Sequence, residues 1–215
     1  FPRSECVGNP VRESIAALAS IVRELIPDAR PVRLLILGGS LGAQALNTIV
    51  PEALALLPET MRPDVFHQTG NALRDETRMH YQHCNVTAQV EPFIDDMAAM
   101  YTWADLAICR AGAMTVSELA CAQLPAFLVP FPFAIDDHQT HNGLWLVQAG
   151  GAKLFQQAEL TAEQLAKEIR QCLEHRELLH SMSAALRTLS QPNAAARVAD
   201  ICEQMANSQR NTSHV

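Results

Sequence analysis

The stretch LLILGGSLGAQALN, Leu34 to Asn47, runs four apolar residues straight into Gly38-Gly39-Ser40-Leu41-Gly42 and then into an alanine-containing helical pattern. A buried strand that turns into a helix through glycines lets backbone N–H groups approach a small anion closely. The spacing is not that of the dinucleotide fingerprint Gly-x-Gly-x-x-Gly, and no Gly-Lys-Ser/Thr follows, so it is not a triphosphate loop either. Two readings stand at this point. Either the loop cradles a phosphate, with the Ser40 hydroxyl as an added donor, or it is a tight turn that binds nothing.

Working outward, strand-like and helix-like segments alternate. Apolar runs at 33–37, 64–68, 86–90, 105–109, 126–129 and 152–155 read as strands. Helical spacing covers 13–26, 42–57, 72–82, 97–103, the segment after Cys109, 139–149, and three stretches near 161–174, 176–189 and 194–207. Pro51 is expected to break or kink its helix. Asp95 or Asp96 offers an N-cap, and Gly150-Gly151 a C-cap. Such alternation implies an α/β fold, a doubly wound parallel sheet with helices on both faces. Ligands of that fold sit at the carboxyl ends of the strands, here the loops after Leu37, Val90, Cys109 and Val129.

The bulk numbers narrow the function. The chain has 215 residues, 48% hydrophobic and 18% charged, enough for one large soluble domain. Its formal net charge of −7, without a basic block, argues against nucleic acid and against a broad basic membrane patch. Six cysteines without a Cys-x-x-Cys pair fit a reducing cytosol. No apolar run reaches membrane-spanning length. The start at Phe1, in FPRSECVGNPVRES, reads as a fragment or an isolated domain.

Three further loops carry chemistry-bearing residues. In CRAGAMTVSELACA, Cys109 to Ala122, Glu118 is either a capping-box or dipole partner at a helix start or a bidentate acceptor for two ribose hydroxyls. In PFAIDDHQTHN, Asp136, Asp137, His138 and His141 are candidate metal ligands but read better as solvated loop residues. Gln139, whose amide both donates and accepts, suits sugar hydroxyls. His80 and His83 read as surface residues. In GNPVR, Arg12 is either a phosphate partner or a plain surface arginine.

Taken together and in order, GNPVR, LGGSLGAQALN, FIDDM, ADLAICRAGAMTVSELA, LPAFLVPFP and DHQTHN resemble the C-terminal half of the MurG family of bacterial peptidoglycan glycosyltransferases. The resemblance runs over essentially the whole chain. It implies a GT-B enzyme of two Rossmann-like domains, of which this is the donor-binding one. Such an enzyme transfers N-acetylglucosamine, with inversion, from UDP-N-acetylglucosamine to undecaprenyl-diphospho-muramoylpentapeptide (lipid I). It works at the cytoplasmic face of the bacterial inner membrane, with neither metal nor cofactor. The resemblance further implies that Arg12, Ser40 and Ile94 line the uridine-diphosphate site, Ile94 through its backbone on the uracil. Ala113, Met114, Thr115, Val116, Ser117 and Glu118 would wrap the phosphates and sugar, Glu118 taking the ribose and Gln139 the N-acetylglucosamine hydroxyls. Met114 departs from the usual leucine. The general base, the acceptor site and the membrane patch are expected in an N-terminal domain that this sequence lacks. Residues 1–192 then form the donor domain, and 193–215 a C-terminal helix and tail returning to the absent one. A different UDP-sugar enzyme, such as an epimerase, and a non-catalytic binding module are the alternatives.

Overall fold

The computed structural model describes residues 5–39 and 43–212, with the side chains of Ile135 and 207–212 left aside. Six strands form one parallel sheet: β1 (Arg33–Leu37), β2 (Asp64–Gln68), β3 (Gln89–Glu91), β4 (Leu106–Cys109), β5 (Ala126–Leu128) and β6 (Ala152–Leu154). Their order is β3-β2-β1-β4-β5-β6. The order reverses between β1 and β4, where Leu34 pairs with Val65 on one side and Leu106 on the other. Connections after β1 and β4 therefore leave in opposite directions, and a crevice opens at their carboxyl ends.

The continuous apolar run of β1 is explained by burial on both faces. Leu34 and Ile36 point into one core with α2 (Gln44–Ala55), α3 (Arg74–His83) and α7 (Ala162–Glu174). Leu35 and Leu37 point into the other, with α1 (Glu13–Ala16), α4 (Met97–Trp103), α5 (Ala113–Ala122) and α6 (His138–Gln148). On that second face β4 and β5 present Ala107, Cys109 and Ala126, and small side chains there let α5 lie close to the sheet. A helix α8 (Arg176–Arg187) contributes to both cores. The last helix, α9 (Ala194–Thr212), buries Ala194 alone among its described side chains.

Two helix expectations are corrected. The helix expected over 13–26 stops at Ala16, followed by a 3-10 turn at Ala17–Ser20 and extended chain. The competing force is capping. Arg23 leaves the helical path to donate to the carbonyls of Ala122 (2.8 Å), Ala104 (2.6 Å) and Tyr101, at the C-terminal ends of α5 and α4. Burial pulls its pKa down to about 10, and the nearby Asp105 charge works in the opposite direction. Ile21, Val22 and Leu25 are consequently exposed. Pro51 does not break α2, which runs on to Ala55. Leu46, Val50, Ala53 and Leu54 are fully buried on that helix, and tertiary packing outweighs the one lost hydrogen bond. Elsewhere Asp96 caps α4, accepting from the Ala99 amide at 2.9 Å, and Gly150 closes α6 with φ +84°.

Candidate functional site

A cavity of about 280 Å³ opens at the crevice. Its walls are the Gly38-Gly39 turn after β1, Phe93 and Ile94 after β3, Tyr101 of α4, Arg110 after β4, and Thr115 and Glu118 of α5, with Arg12 at the rim.

The turn after β1 is held by a residue of the neighbouring strand. At the end of β2, Gln68 is 5% exposed. Its Oε1 accepts from the Gly39 amide at 3.0 Å, and its Nε2 donates to the carbonyls of Gly39 (2.9 Å) and Pro92 (3.0 Å). One side-chain amide thus fixes the glycine turn and the Phe93–Ile94 loop against each other. Gly39 itself needs to be glycine, with φ +76°. Ser40 lies outside the described residues.

The helix α5 starts at the cavity. Gly112 is its N-cap and no side chain caps it. The Val116 amide already bonds to the Gly112 carbonyl at 3.0 Å, so the first-turn amides of Ala113, Met114 and Thr115 are the intrinsic anion-facing groups. Glu118 is the sixth helical residue, beyond the third-position slot of a capping box, so the capping-box reading is corrected. Its side chain is 13% exposed. Tyr101 Oη donates to its Oε2 at 2.8 Å, and Arg12 Nη2 lies 3.4 Å from its Oε1.

The sequence-predicted residues do not all meet in this cavity. Arg12, Ile94, Thr115 and Glu118 do. Ile94 packs its side chain into the second core. Val116 is 3% exposed, also in the core. Met114 is exposed to solvent. Ala113 and Ser117 open onto an adjoining hollow of about 540 Å³, shared with Asn9, His141, Asn142 and Trp145. There Ser117 donates to the Ala113 carbonyl and accepts from Asn9 Nδ2, both at 3.0 Å. Gln139 sits apart, its Oε1 accepting from the Phe131 amide at 3.0 Å.

The loop after β5 is organised by its own contacts. Arg110 donates to the carbonyls of Val129 and Pro130, each at 3.1 Å, and to Gln157 Oε1 at 2.7 Å, with its guanidinium 5.6 Å from the Phe131 ring centroid. Burial lowers its pKa. Asp137 Oδ1 accepts from Thr140 at 2.7 Å, and its carbonyl pairs with His141 Nδ1 at 3.0 Å. Among the described residues no three His, Cys, Asp or Glu side chains are grouped to hold a metal ion. His80 meets Glu52 (3.4 Å) and the Thr48 carbonyl (3.1 Å) and, with His83, lines a separate hollow between α2 and α3.

Sequence reasoning missed Tyr101, Gln68 and Arg110. Tyr101 carried no distinguishing signal, since a tyrosine at helical spacing reads as core. Gln68 did carry one: a polar residue at the carboxyl end of a strand whose inner positions are buried.

A sheet of this order, with a glycine turn and an uncapped helix N-terminus at its switch point and one carboxylate within reach, defines a Rossmann-like α/β domain. Residues 33–204 match the family described as glycosyltransferase family 28 C-terminal domain. The chain belongs to that family. It is 54% identical over 203 residues to the UDP-N-acetylglucosamine--N-acetylmuramyl-(pentapeptide) pyrophosphoryl-undecaprenol N-acetylglucosamine transferase of Thiobacillus denitrificans, covering 94% of this chain and 54% of that protein. The crystal structure of Acinetobacter baumannii MurG superposes with a TM-score of 0.78 at 42% identity, over 85% of this chain and 55% of that one. The UDP-GlcNAc 2-epimerase of Neisseria meningitidis, solved with UDP-GlcNAc, shares the fold alone, with a TM-score of 0.56 at 13% identity over 84% of this chain and 46% of that one. The chain thus spans about half the length of the relatives that it matches.

Proposed function

We propose that this chain supplies the donor site of an inverting N-acetylglucosaminyltransferase that uses UDP-N-acetylglucosamine and lipid I. The observation that carries the reading is the Glu118 carboxylate, held in a cavity between the glycine turn and the open N-terminus of α5. The diphosphate lies against the first-turn amides of Ala113, Met114 and Thr115, with the Thr115 hydroxyl and Ser40 as further donors. Glu118 accepts the two ribose hydroxyls, and the backbone of Ile94 meets the uracil. Arg12, 57% exposed and 3.4 Å from Glu118, exchanges that contact for a phosphate oxygen. Gln139 releases the Phe131 amide to bind the sugar.

In the transfer step the acceptor hydroxyl oxygen bonds to the anomeric carbon as the bond to the β-phosphate oxygen breaks, which inverts the centre. The electron pair leaves with UDP, and the helix N-terminus stabilises that developing charge. The hydroxyl proton goes to a base in the half of the relatives that this chain does not cover. The same half supplies the lipid I site and the attachment to the cytoplasmic face of the inner membrane. Residues 1–192 form the donor domain, and 193–215, with its exposed α9, packs on that other half. Among the described residues no helix is long and apolar enough to cross a membrane.

An epimerase needs acid–base groups around the sugar. The match to a glycosyltransferase family over residues 33–204, against a likeness to the epimerase in fold alone, favours transfer. Sugar selectivity tests the reading. UDP-N-acetylglucosamine is expected to displace a fluorescent UDP probe at lower concentration than UDP-N-acetylgalactosamine, and Gln139→Ala to narrow the gap. Equal displacement by both sugars in the unaltered chain contradicts it.

A further inference from the structure

We infer that Tyr101 is a positioning residue that makes the site selective for a ribose over a deoxyribose, by fixing the Glu118 carboxylate through its hydroxyl. The inference rests on the donor-site reading, with Glu118 as the ribose acceptor.

Tyr101 is pinned at both ends. Its ring is 1% exposed in the second core, and its backbone carbonyl accepts from Arg23. Its hydroxyl donates to Glu118 Oε2 at 2.8 Å. Burial first, then the adjacent Glu118 charge, raises the hydroxyl's pKa well above its ordinary value, so it stays a donor. A carboxylate offers about four lone-pair sites. Tyr101 takes one on Oε2, and Arg12 gives up its contact with Oε1 when the donor binds, so each oxygen keeps at least one for a pair of adjacent hydroxyls. Arg12 is exposed and its contact is long, so it does not set the carboxylate's orientation. The buried tyrosine does. Without it, Glu118 keeps its charge but loses its fixed plane. A two-point acceptor then becomes a mobile one, which rejects a donor missing one hydroxyl less well.

The test titrates the 215-residue chain with UDP and with 2′-deoxy-UDP, in the unaltered form and as Tyr101→Phe and Glu118→Gln. The unaltered chain is expected to prefer UDP by about tenfold or more, the scale of a lost hydrogen bond to a charged group. Tyr101→Phe is expected to reduce that preference to under about threefold, mainly by weakening UDP. If Glu118→Gln abolishes the preference and Tyr101→Phe keeps it whole, the positioning role is wrong and the donor-site reading stands. If the unaltered chain shows no preference, or no saturable binding of UDP while folded, both fall.

A second readout covers loss of folding in the variant. The chain holds two tyrosines, so Cζ-labelled tyrosine gives two carbon signals in the unaltered protein. The Tyr101 signal, assigned by its shift in Glu118→Gln, should move on adding UDP and move less with 2′-deoxy-UDP. A signal indifferent to UDP overturns the inference.

Discussion

Gln68 ties the two loops of the site with three hydrogen bonds from one buried amide. Replacing it by alanine leaves the Gly39 amide and two carbonyls to find new partners, at about 1–3 kcal/mol for a buried group left unpaired. Gln68→Ala should lower the chain's stability by that amount in urea denaturation and weaken UDP. Unchanged stability together with unchanged affinity would remove the clamp from the account. Residues singled out in the sequence for what they could offer a ligand were legible there: Glu118, Thr115, Arg12 and Ile94 do share a cavity. Residues that act by holding others were not. A glutamine or tyrosine looks alike in sequence whether its partner is a core neighbour or the loop that binds a ligand. Ser117 and Val116 were legible as part of a motif, but a helix turns by 3.6 residues, so consecutive positions face different ways. One points to the Asn9 side and the other into the core.

Between elements, the face of the sheet away from α5 holds a buried polar trio. On β2, His67 is fully buried, with Nδ1 2.9 Å from Tyr81 Oη of α3 and Nε2 2.9 Å from Asn47 Oδ1 of α2. Asn47 Nδ2 donates to the Thr69 carbonyl at 3.4 Å, so Oδ1 accepts from Nε2–H and Nδ1 accepts from Tyr81. The ring is thus satisfied as the neutral form. Burial pulls its pKa down to about 3. The unfolded chain takes up that proton near pH 6.5, so its stability contribution is complete above that pH. Below it, about 1.4 kcal/mol is lost per pH unit until the folded ring also protonates. Urea denaturation at pH 7.5 and 5 should show about 2 kcal/mol more loss in the unaltered chain than in His67→Gln. Equal losses would contradict the trio. At this scale strand positions were legible because burial on both faces forces continuous apolar runs. The first helix was not, because Arg23 answers to carbonyls at the ends of α4 and α5, about 80 residues or more away in the chain.

For the whole molecule, the alternation of strand and helix was enough to give a parallel doubly wound sheet, whose order reverses between β1 and β4, where a crevice opens. What a single chain leaves open is the chemistry that needs a second surface. On the proposed reading the donor cavity is walled by this chain, whereas the acceptor and the base belong to the other half of the relatives. The 215-residue chain should therefore bind donor and show no turnover of lipid I, measured as labelled N-acetylglucosamine incorporated into lipid. Measurable incorporation would place the base within this chain. The most direct measurement of the central claim is a calorimetric titration of the chain with UDP-N-acetylglucosamine, beside Glu118→Ala. The account predicts saturable binding that weakens by about 10- to 100-fold in the variant, the worth of hydrogen bonds to a charged acceptor. Equal affinity in the two folded proteins would contradict it.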